Sequence, residues 1–288
     1  MIKKIKVAAF LFLLVFVFSD VCTAKEGVAI SKDGTPIAFS VYGKGEPALI
    51  FVHGWSCDRS FWRKQIPYFK EKYRIAVLDL AGHGRFGHHN RTVYSPQSFA
   101  EDVAAVVNKI EAEKVVLIGH SMSGVIIIET YKLIPDKVAA LIGIDTMQDL
   151  SESFTAEQIK EIVKPFKEDF KKATDSFVEG SMFAKDTNQQ FIDEIDGVMR
   201  NAYPKVAISA LEEMFAVSYV HNHPKINVPV WCLNSDLWAT KTEVNHKIIH
   251  NFQLRIMPGV GHFLMLEEPD EFNKELDDIL HEILKKVV

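Results

Sequence analysis

A serine lies at the tip of a predicted turn between a buried strand and a helix. Ser121 follows the apolar residues 115–118 and the pair Gly119-His120, and a second apolar run begins at Val125. A sharp strand-to-helix turn exposes a hydroxyl at a helix N-terminus, where developing negative charge is stabilised. The pattern therefore predicts that Ser121 is the nucleophile of an acyl transfer.

The turn is close to the pattern G-x-S-x-G, with one departure. Residues 119–123 read Gly-His-Ser-Met-Ser, so Ser123 occupies the last glycine position and Gly124 comes one residue late. Serine has the next smallest polar side chain, and we expect the turn to tolerate it if the Ser123 Cβ finds room.

A serine hydroxyl is a weak nucleophile and needs a base that is held in place by an acid. His262 is the predicted base, because it lies in the glycine-flanked loop 259–263 after the last predicted strand. Asp236 is the favoured acid, because it follows the predicted strand 228–233 and gives the chain order Ser, Asp, His. Asp145, which follows another predicted strand, is the alternative acid.

A negatively charged oxygen on the reacting carbonyl needs two fixed backbone N–H donors. Met122, the residue after the nucleophile, is expected to supply one. Trp55, in the loop after strand 48–52, is expected to supply the other. His53, at the start of this loop, is interpreted as a residue that shapes the loop and transfers no proton.

Short apolar strands alternate with amphipathic helices along most of the chain, which predicts an α/β protein with a mostly parallel sheet. A helical stretch at 147–226 interrupts the alternation, and we expect it to form a cap over the sheet edge where ligands bind. The predicted core is thus divided into 25–146 and 227–288. Predicted strands are 27–31, 37–42, 48–52, 74–80, 115–118, 138–144, 228–233 and 252–257; predicted helices include 60–72, 95–111, 241–250 and 269–286.

The N-terminus has the three regions of a secretory signal peptide. Lysines at 3, 4 and 6 precede an apolar run at 7–18, and cleavage after Ala24 would satisfy the small-residue rule. Residues 1–24 are therefore predicted to be removed on export to the periplasm or the medium, leaving no stable membrane span. The alternatives are an uncleaved anchor, a buried N-terminal helix and a lipid anchor on Cys22. In the exported chain, Cys57 and Cys232 could be free thiols or a disulfide.

Charge and motifs exclude several other classes of function. The formal net charge is -5 with scattered lysines and arginines, which disfavours a nucleic-acid surface. No phosphate-binding or dinucleotide-binding glycine motif follows a strand, so no cofactor is expected. His83, His88 and His89 cluster without an Asp, Glu or Cys at ligand spacing, so no metal site is predicted there.

Four segments together resemble the α/β-hydrolase superfamily, in particular its serine esterase-like members with a helical cap. The segments are 53–55, similar to the oxyanion loop; 79–84, which reads D-x-x-G-H-G; 119–123; and 259–269, similar to the catalytic-histidine segment. The resemblance implies an α/β-hydrolase fold with helices flanking the sheet and a helical cap insertion. It departs from the family at the acid loop, where members commonly carry G-x-x-D and this chain reads Asn234-Ser235-Asp236.

The predicted function is hydrolysis of a carboxylic ester of a small, partly apolar acyl substrate through an acyl-enzyme, as in carboxylesterases. The same groups could act on a lactone, amide or thioester, or in a perhydrolase reaction. A non-catalytic protein that uses the pocket as a receptor is the remaining alternative. The serine nucleophile argues against relatives with an aspartate nucleophile, such as epoxide hydrolases and haloalkane dehalogenases.

Overall fold

A mixed sheet of eight strands forms the centre of the molecule in the computed structural model, which describes residues 24–86, 91–219 and 225–287. The strand order is β1-β2-β4-β3-β5-β6-β7-β8. Only the pairings β1–β2 and β2–β4 are antiparallel. The strands are β1 Lys25–Ile30, β2 Pro36–Tyr42, β3 Ala48–Val52, β4 Ile75–Leu78, β5 Val115–His120, β6 Val138–Ile144, β7 Val230–Ser235 and β8 Phe252–Met257. The predicted mostly parallel sheet is confirmed.

Helices flank this sheet, and four of them form an insertion between β6 and β7. The described helices are α1 Ile66–Phe69, α2 Pro96–Lys109, α3 Ser123–Leu133, α4 Ala156–Glu168, α5 Phe170–Ser181, α6 Gln189–Met199, α7 Pro204–Phe215, α8 Thr242–Ile248, α9 Leu264–Glu267 and α10 Pro269–Val287. The inserted helices are α4 to α7. No strand lies between β6 and β7 in the described parts of this segment.

The helix predicted at 60–72 is wrong in its extent. A 3₁₀ turn at Arg59–Trp62 is followed by the single turn α1. Pro67 lies at the start of α1. Because proline has no N–H to donate to an earlier turn, one continuous helix through this position would lose a hydrogen bond.

The register of the central strands decides which loops meet at the carboxyl edge of the sheet. Every residue of β3, β5 and β6 is buried, as expected for parallel strands covered on both faces. Val52 pairs with Gly119, and His120 pairs with Ile144. The loop after β3, the serine turn after β5 and the residue that follows β6 therefore begin at the same level of the sheet.

The inserted helices pack directly on the loop that follows β3. The indole Nε1–H of Trp55 donates to the carbonyl of Ala207 in α7 at 2.8 Å. Its ring meets Phe166, Phe170 and Phe177 edge-on. This aromatic cluster joins the insertion to the sheet edge.

Of the predicted signal peptide, residues 1–23 lie outside the described residues. Within the described ranges, no helix is both long enough and apolar enough to cross a membrane. Cys57 and Cys232 are buried free thiols, so the disulfide alternative is wrong.

Candidate active site

Ser121 occupies a strained turn between β5 and α3. Its φ is +54°, in the left-handed region that residues other than glycine rarely adopt. A Cβ at Gly119 would lie 2.5 Å from the carbonyl oxygen of Ser123, so position 119 has no room for a side chain. Strain of this kind is typical of functional turns, and here it presents Ser121 to a cavity.

Ser123, which replaces the last glycine of the pattern G-x-S-x-G, fits the turn. Ser123 is fully buried, and its hydroxyl donates to the carbonyl of His53 at the end of β3. This hydrogen bond joins the serine turn to the loop that was predicted to bind the oxyanion.

His53 has a structural place in that loop. Its Nδ1–H donates to the carbonyl of Gly54 at 2.8 Å, and its Nε2 accepts from the N–H of Leu80 at 3.1 Å. Burial lowers the pKa of His53, so the ring stays neutral in this arrangement.

His262 forms a short hydrogen bond with Asp145. The distance from His262 Nδ1 to Asp145 Oδ2 is 2.6 Å, and both side chains are buried. Because a carboxylate can only accept, Nδ1 carries a proton, and in the neutral ring Nε2 then has the lone pair. His262 is therefore held in the tautomer that a general base requires.

The backbone of His262 is fixed by groups on several sides. Its N–H donates to the carbonyl of Met182 in the insertion at 2.7 Å, and its carbonyl accepts from His120 Nε2 at 2.9 Å. Glu267 accepts from the N–H of Gly261 at 2.9 Å. Burial raises the pKa of Glu267. His120 and Glu267 are supports of this loop that no sequence pattern predicted.

Asp236 does not hold the position that was predicted for it. It is exposed, and its Oδ1 accepts from the N–H of Gly259 at 2.8 Å. No hydrogen bond joins Asp236 to His262 among the described residues. The alternative acid, Asp145, makes that contact, because it directly follows Ile144 at the level of the serine turn.

The two residues that were predicted to bind the oxyanion line the same cavity as Ser121. Trp55 and Met122 both line it, and both are buried. Within the described ranges, neither of their N–H groups donates to another protein atom. Buried N–H groups are rarely left unpaired, so these two are available to a ligand oxygen.

Ser121 and His262 share this cavity, which has a volume of about 550 Å³. No hydrogen bond joins Ser121 Oγ to His262 Nε2 in the described structure. Such contacts are often long in unliganded enzymes and shorten when substrate binds. Trp238 also lines the cavity, and its ring centroid is 5.2 Å from that of His262.

The residues that line the cavity include an apolar group and a polar group. Five of the phenylalanines and methionines in the predicted cap line it, together with Leu211: Phe177, Met182, Met199, Met214 and Phe215. The remaining phenylalanines of that segment do not line it: Phe154, Phe166, Phe170, Phe183 and Phe191. The polar group includes Gln148, Asp149, Glu152 and Lys241, and Asp149 forms an ion pair with Lys241 at 2.7 Å.

The sequence model of the alpha/beta hydrolase family matches residues 49–275, which is most of the chain. The protein belongs to the alpha/beta hydrolase family. It is 23% identical to the karrikin insensitive 2 receptor CA of Petunia hybrida over 80% of this chain and 90% of the receptor. A bifunctional esterase/perhydrolase of Acinetobacter calcoaceticus is 34% identical over 34% of this chain and 36% of its own length.

Solved structures share the complete fold of this alpha/beta hydrolase. An esterase of Thermogutta terrifontis superposes with a TM-score of 0.77 at 21% identity, covering 90% of this chain and 99% of the esterase. At this identity the likeness establishes the fold. The family match and the named relatives support a hydrolase of the esterase type.

Within the described residues of this hydrolase, no three His, Cys, Asp or Glu side chains converge. Nδ1 of His83 donates to the carbonyl of Ala81 at 3.1 Å. Burial lowers the pKa of His83 to about 3. His88 and His89 lie outside the described residues.

Proposed function

We propose that this hydrolase cleaves a carboxylic ester of a small, partly apolar acyl substrate through an acyl-enzyme. One observation carries the proposal. A buried Asp145–His262 pair, with Nδ1 protonated, shares a cavity with a serine on a strained strand-to-helix turn. This set of groups is the one that activates a serine hydroxyl.

In the proposed reaction, Ser121 Oγ attacks the carbonyl carbon while His262 Nε2 takes the hydroxyl proton. Asp145 stabilises the resulting imidazolium through Nδ1–H. The N–H groups of Trp55 and Met122 donate to the oxyanion. His262 then gives its proton to the leaving alcohol. In the second half of the reaction, His262 takes a proton from the water that attacks the acyl-enzyme and returns it to Ser121 Oγ as the acid leaves.

The cavity supports a substrate of limited size with an apolar portion. About 550 Å³ lies within the range of sites that hold small molecules. The aromatic and methionine side chains of its wall suit an acyl or aryl group. Lactones, amides, thioesters and peracids use the same groups, so the substrate panel below includes them.

The test is labelling with a fluorophosphonate probe, followed by peptide mapping. We expect the wild type to be labelled at Ser121, and Ser121→Ala and His262→Ala to be unlabelled although folded. Short-chain p-nitrophenyl esters, lactones, anilides, thioesters and peracids then identify the bond that is cleaved. Folded wild-type protein that neither labels nor hydrolyses any of them would refute the proposal and favour a receptor role.

We also propose that the chain is exported. The basic and apolar regions of residues 1–24 support this. Mass spectrometry of the mature protein tests it, since cleavage after Ala24 gives a chain that begins at Lys25. A mature chain that retains residues 1–24 would contradict cleavage.

A further inference from the structure

Asp236, the favoured acid of the sequence, follows β7, but it is Asp145 after β6 that contacts His262. The last residue of β7, Ser235, holds Asp145 in place. Asp145 Oδ1 accepts the backbone N–H of Ser235 at 2.8 Å and its hydroxyl at 3.0 Å. Asp145 is 2% exposed and Ser235 is fully buried. Both donors of one residue therefore converge on the carboxylate oxygen that faces away from His262.

The neighbouring residue fixes the chain that follows Asp145. Asn234 Oδ1 accepts from the N–H of Thr146 at 3.1 Å, and Asn234 Nδ2 donates to the carbonyl of Thr146 at 2.9 Å. Its second N–H donates to Thr240 at 2.9 Å. The side-chain amide of Asn234 thus pairs with both the N–H and the carbonyl of Thr146, which lies beyond the end of β6.

The backbone here needs such support, because Asp145 and Met147 have φ values of +44° and +54°. Thr146 continues the contact to the nucleophile, since its hydroxyl donates to the carbonyl of Ser121 at 2.7 Å. Asn234 and Ser235 therefore hold Thr146 and Asp145, and Thr146 in turn contacts the serine turn.

We infer that Ser235 is a positioning residue for the reaction and acts through Asp145. The inference rests on the proposed function, in which Asp145 is the acid. With Oδ1 held by two donors, Oδ2 must face His262 Nδ1, and the carboxylate cannot rotate toward another partner. Ser235, the last residue of β7 and the neighbour of the predicted acid Asp236, thus supports a carboxylate that follows the adjacent strand β6.

Ser235→Ala removes the hydroxyl donor and keeps the N–H donor. Because the lost hydrogen bond ends on a charged group, we expect kcat to fall about tenfold with KM nearly unchanged. Ser235→Thr restores a hydroxyl and should recover most of kcat. Ser31→Ala is the matched control: Ser31 is also buried, but its hydroxyl accepts from Arg91, away from the cavity.

A double-mutant cycle separates positioning from a general loss of structure. In the Asp145→Asn background, Ser235→Ala should change kcat less than about twofold, since its effect passes through the carboxylate. An equal loss in both backgrounds, or an unchanged kcat in Ser235→Ala alone, would overturn the inference.

A second readout does not depend on turnover. The proton on His262 Nδ1 should give a far-downfield NMR signal in the wild type and a shifted signal in Ser235→Ala. The signal should be the same in Ser31→Ala as in the wild type. If the wild type fails to react with any substrate, the proposed function fails, while this signal still decides whether Ser235 orients Asp145. No change in the signal would refute the positioning role.

Discussion

Replacing Asp145 by asparagine should abolish most of the activity by selecting the wrong histidine tautomer. The N–H of Ser235 donates to Oδ1 of Asp145 at 2.8 Å, and a backbone N–H cannot become an acceptor. In Asp145→Asn, the oxygen of the new amide would therefore keep that position, and the amide NH₂ group would face His262 Nδ1. Nδ1 must then accept, so the proton moves to Nε2, where it blocks transfer from Ser121.

The expected loss in kcat follows from losing the general base altogether. The same change in a serine protease costs about 10⁴ in kcat, and we expect a loss on the order of 10³ to 10⁴ here. This loss corresponds to about 4–5.5 kcal/mol in the activation barrier. Because the amide keeps the hydrogen bond to Ser235, the melting temperature should change little. The fall in kcat therefore reports chemistry and not unfolding.

The assay is steady-state hydrolysis of a p-nitrophenyl ester, together with the rate of fluorophosphonate labelling at Ser121. Asp236→Asn is the matched control, since Asp236 is exposed and accepts only from Gly259 N–H among the described residues. It should stay within about threefold of the wild type. A large loss in Asp236→Asn with a near-normal Asp145→Asn would refute the assignment of the acid.

Three further predictions concern stability and specificity. Ser123→Ala leaves the buried carbonyl of His53 without its donor, so denaturant titration should show a loss of about 1–2 kcal/mol; unchanged stability would contradict it. Asp149, Glu152 and Lys241 line the cavity and together carry one net negative charge, since Asp149 pairs with the ammonium of Lys241 and leaves Glu152. A choline ester should therefore have a kcat/KM at least about threefold above that of its uncharged 3,3-dimethylbutyl isostere. Glu152→Gln should remove the preference, and equal ratios in both proteins would refute it. Burial lowers the pKa of His83 to about 3, so between this value and the unfolded value of about 6.5 only the unfolded chain binds the proton. Stability should fall as the pH falls through this window, and His83→Asn should flatten the fall measured by urea titration; an equal slope in both proteins would argue against it.

The fold and most of the candidate site could be predicted from the sequence. The serine turn is a local structure, because Gly119, Ser121 and the flanking apolar runs specify a strand, a turn and a helix within a few residues. The parallel order of the strands then brings the loops at Trp55 and His262 to the same edge. No long-range detail is needed for these predictions.

The prediction of one helix over 60–72 was wrong for a local reason, the missing N–H of Pro67. The supports of the histidine loop were not predicted, for a different reason. His120 and Glu267 act on backbone groups of residues 261–262, and no spacing in the sequence marks a side chain that hydrogen-bonds a distant backbone atom.

The choice between the two candidate acids depends on the tertiary structure. Asp145 and Asp236 each follow one of two adjacent parallel strands, so topology brings both to the same edge. What separates them is the direction of the side chain. A positive φ at Asp145 and two donors from Ser235 turn one carboxylate toward His262, while Asp236 turns to the N–H of Gly259. Periodicity and strand order fix the position of a residue to within a few ångströms, but a hydrogen bond of 2.6 Å depends on backbone angles and packing that only the folded chain determines.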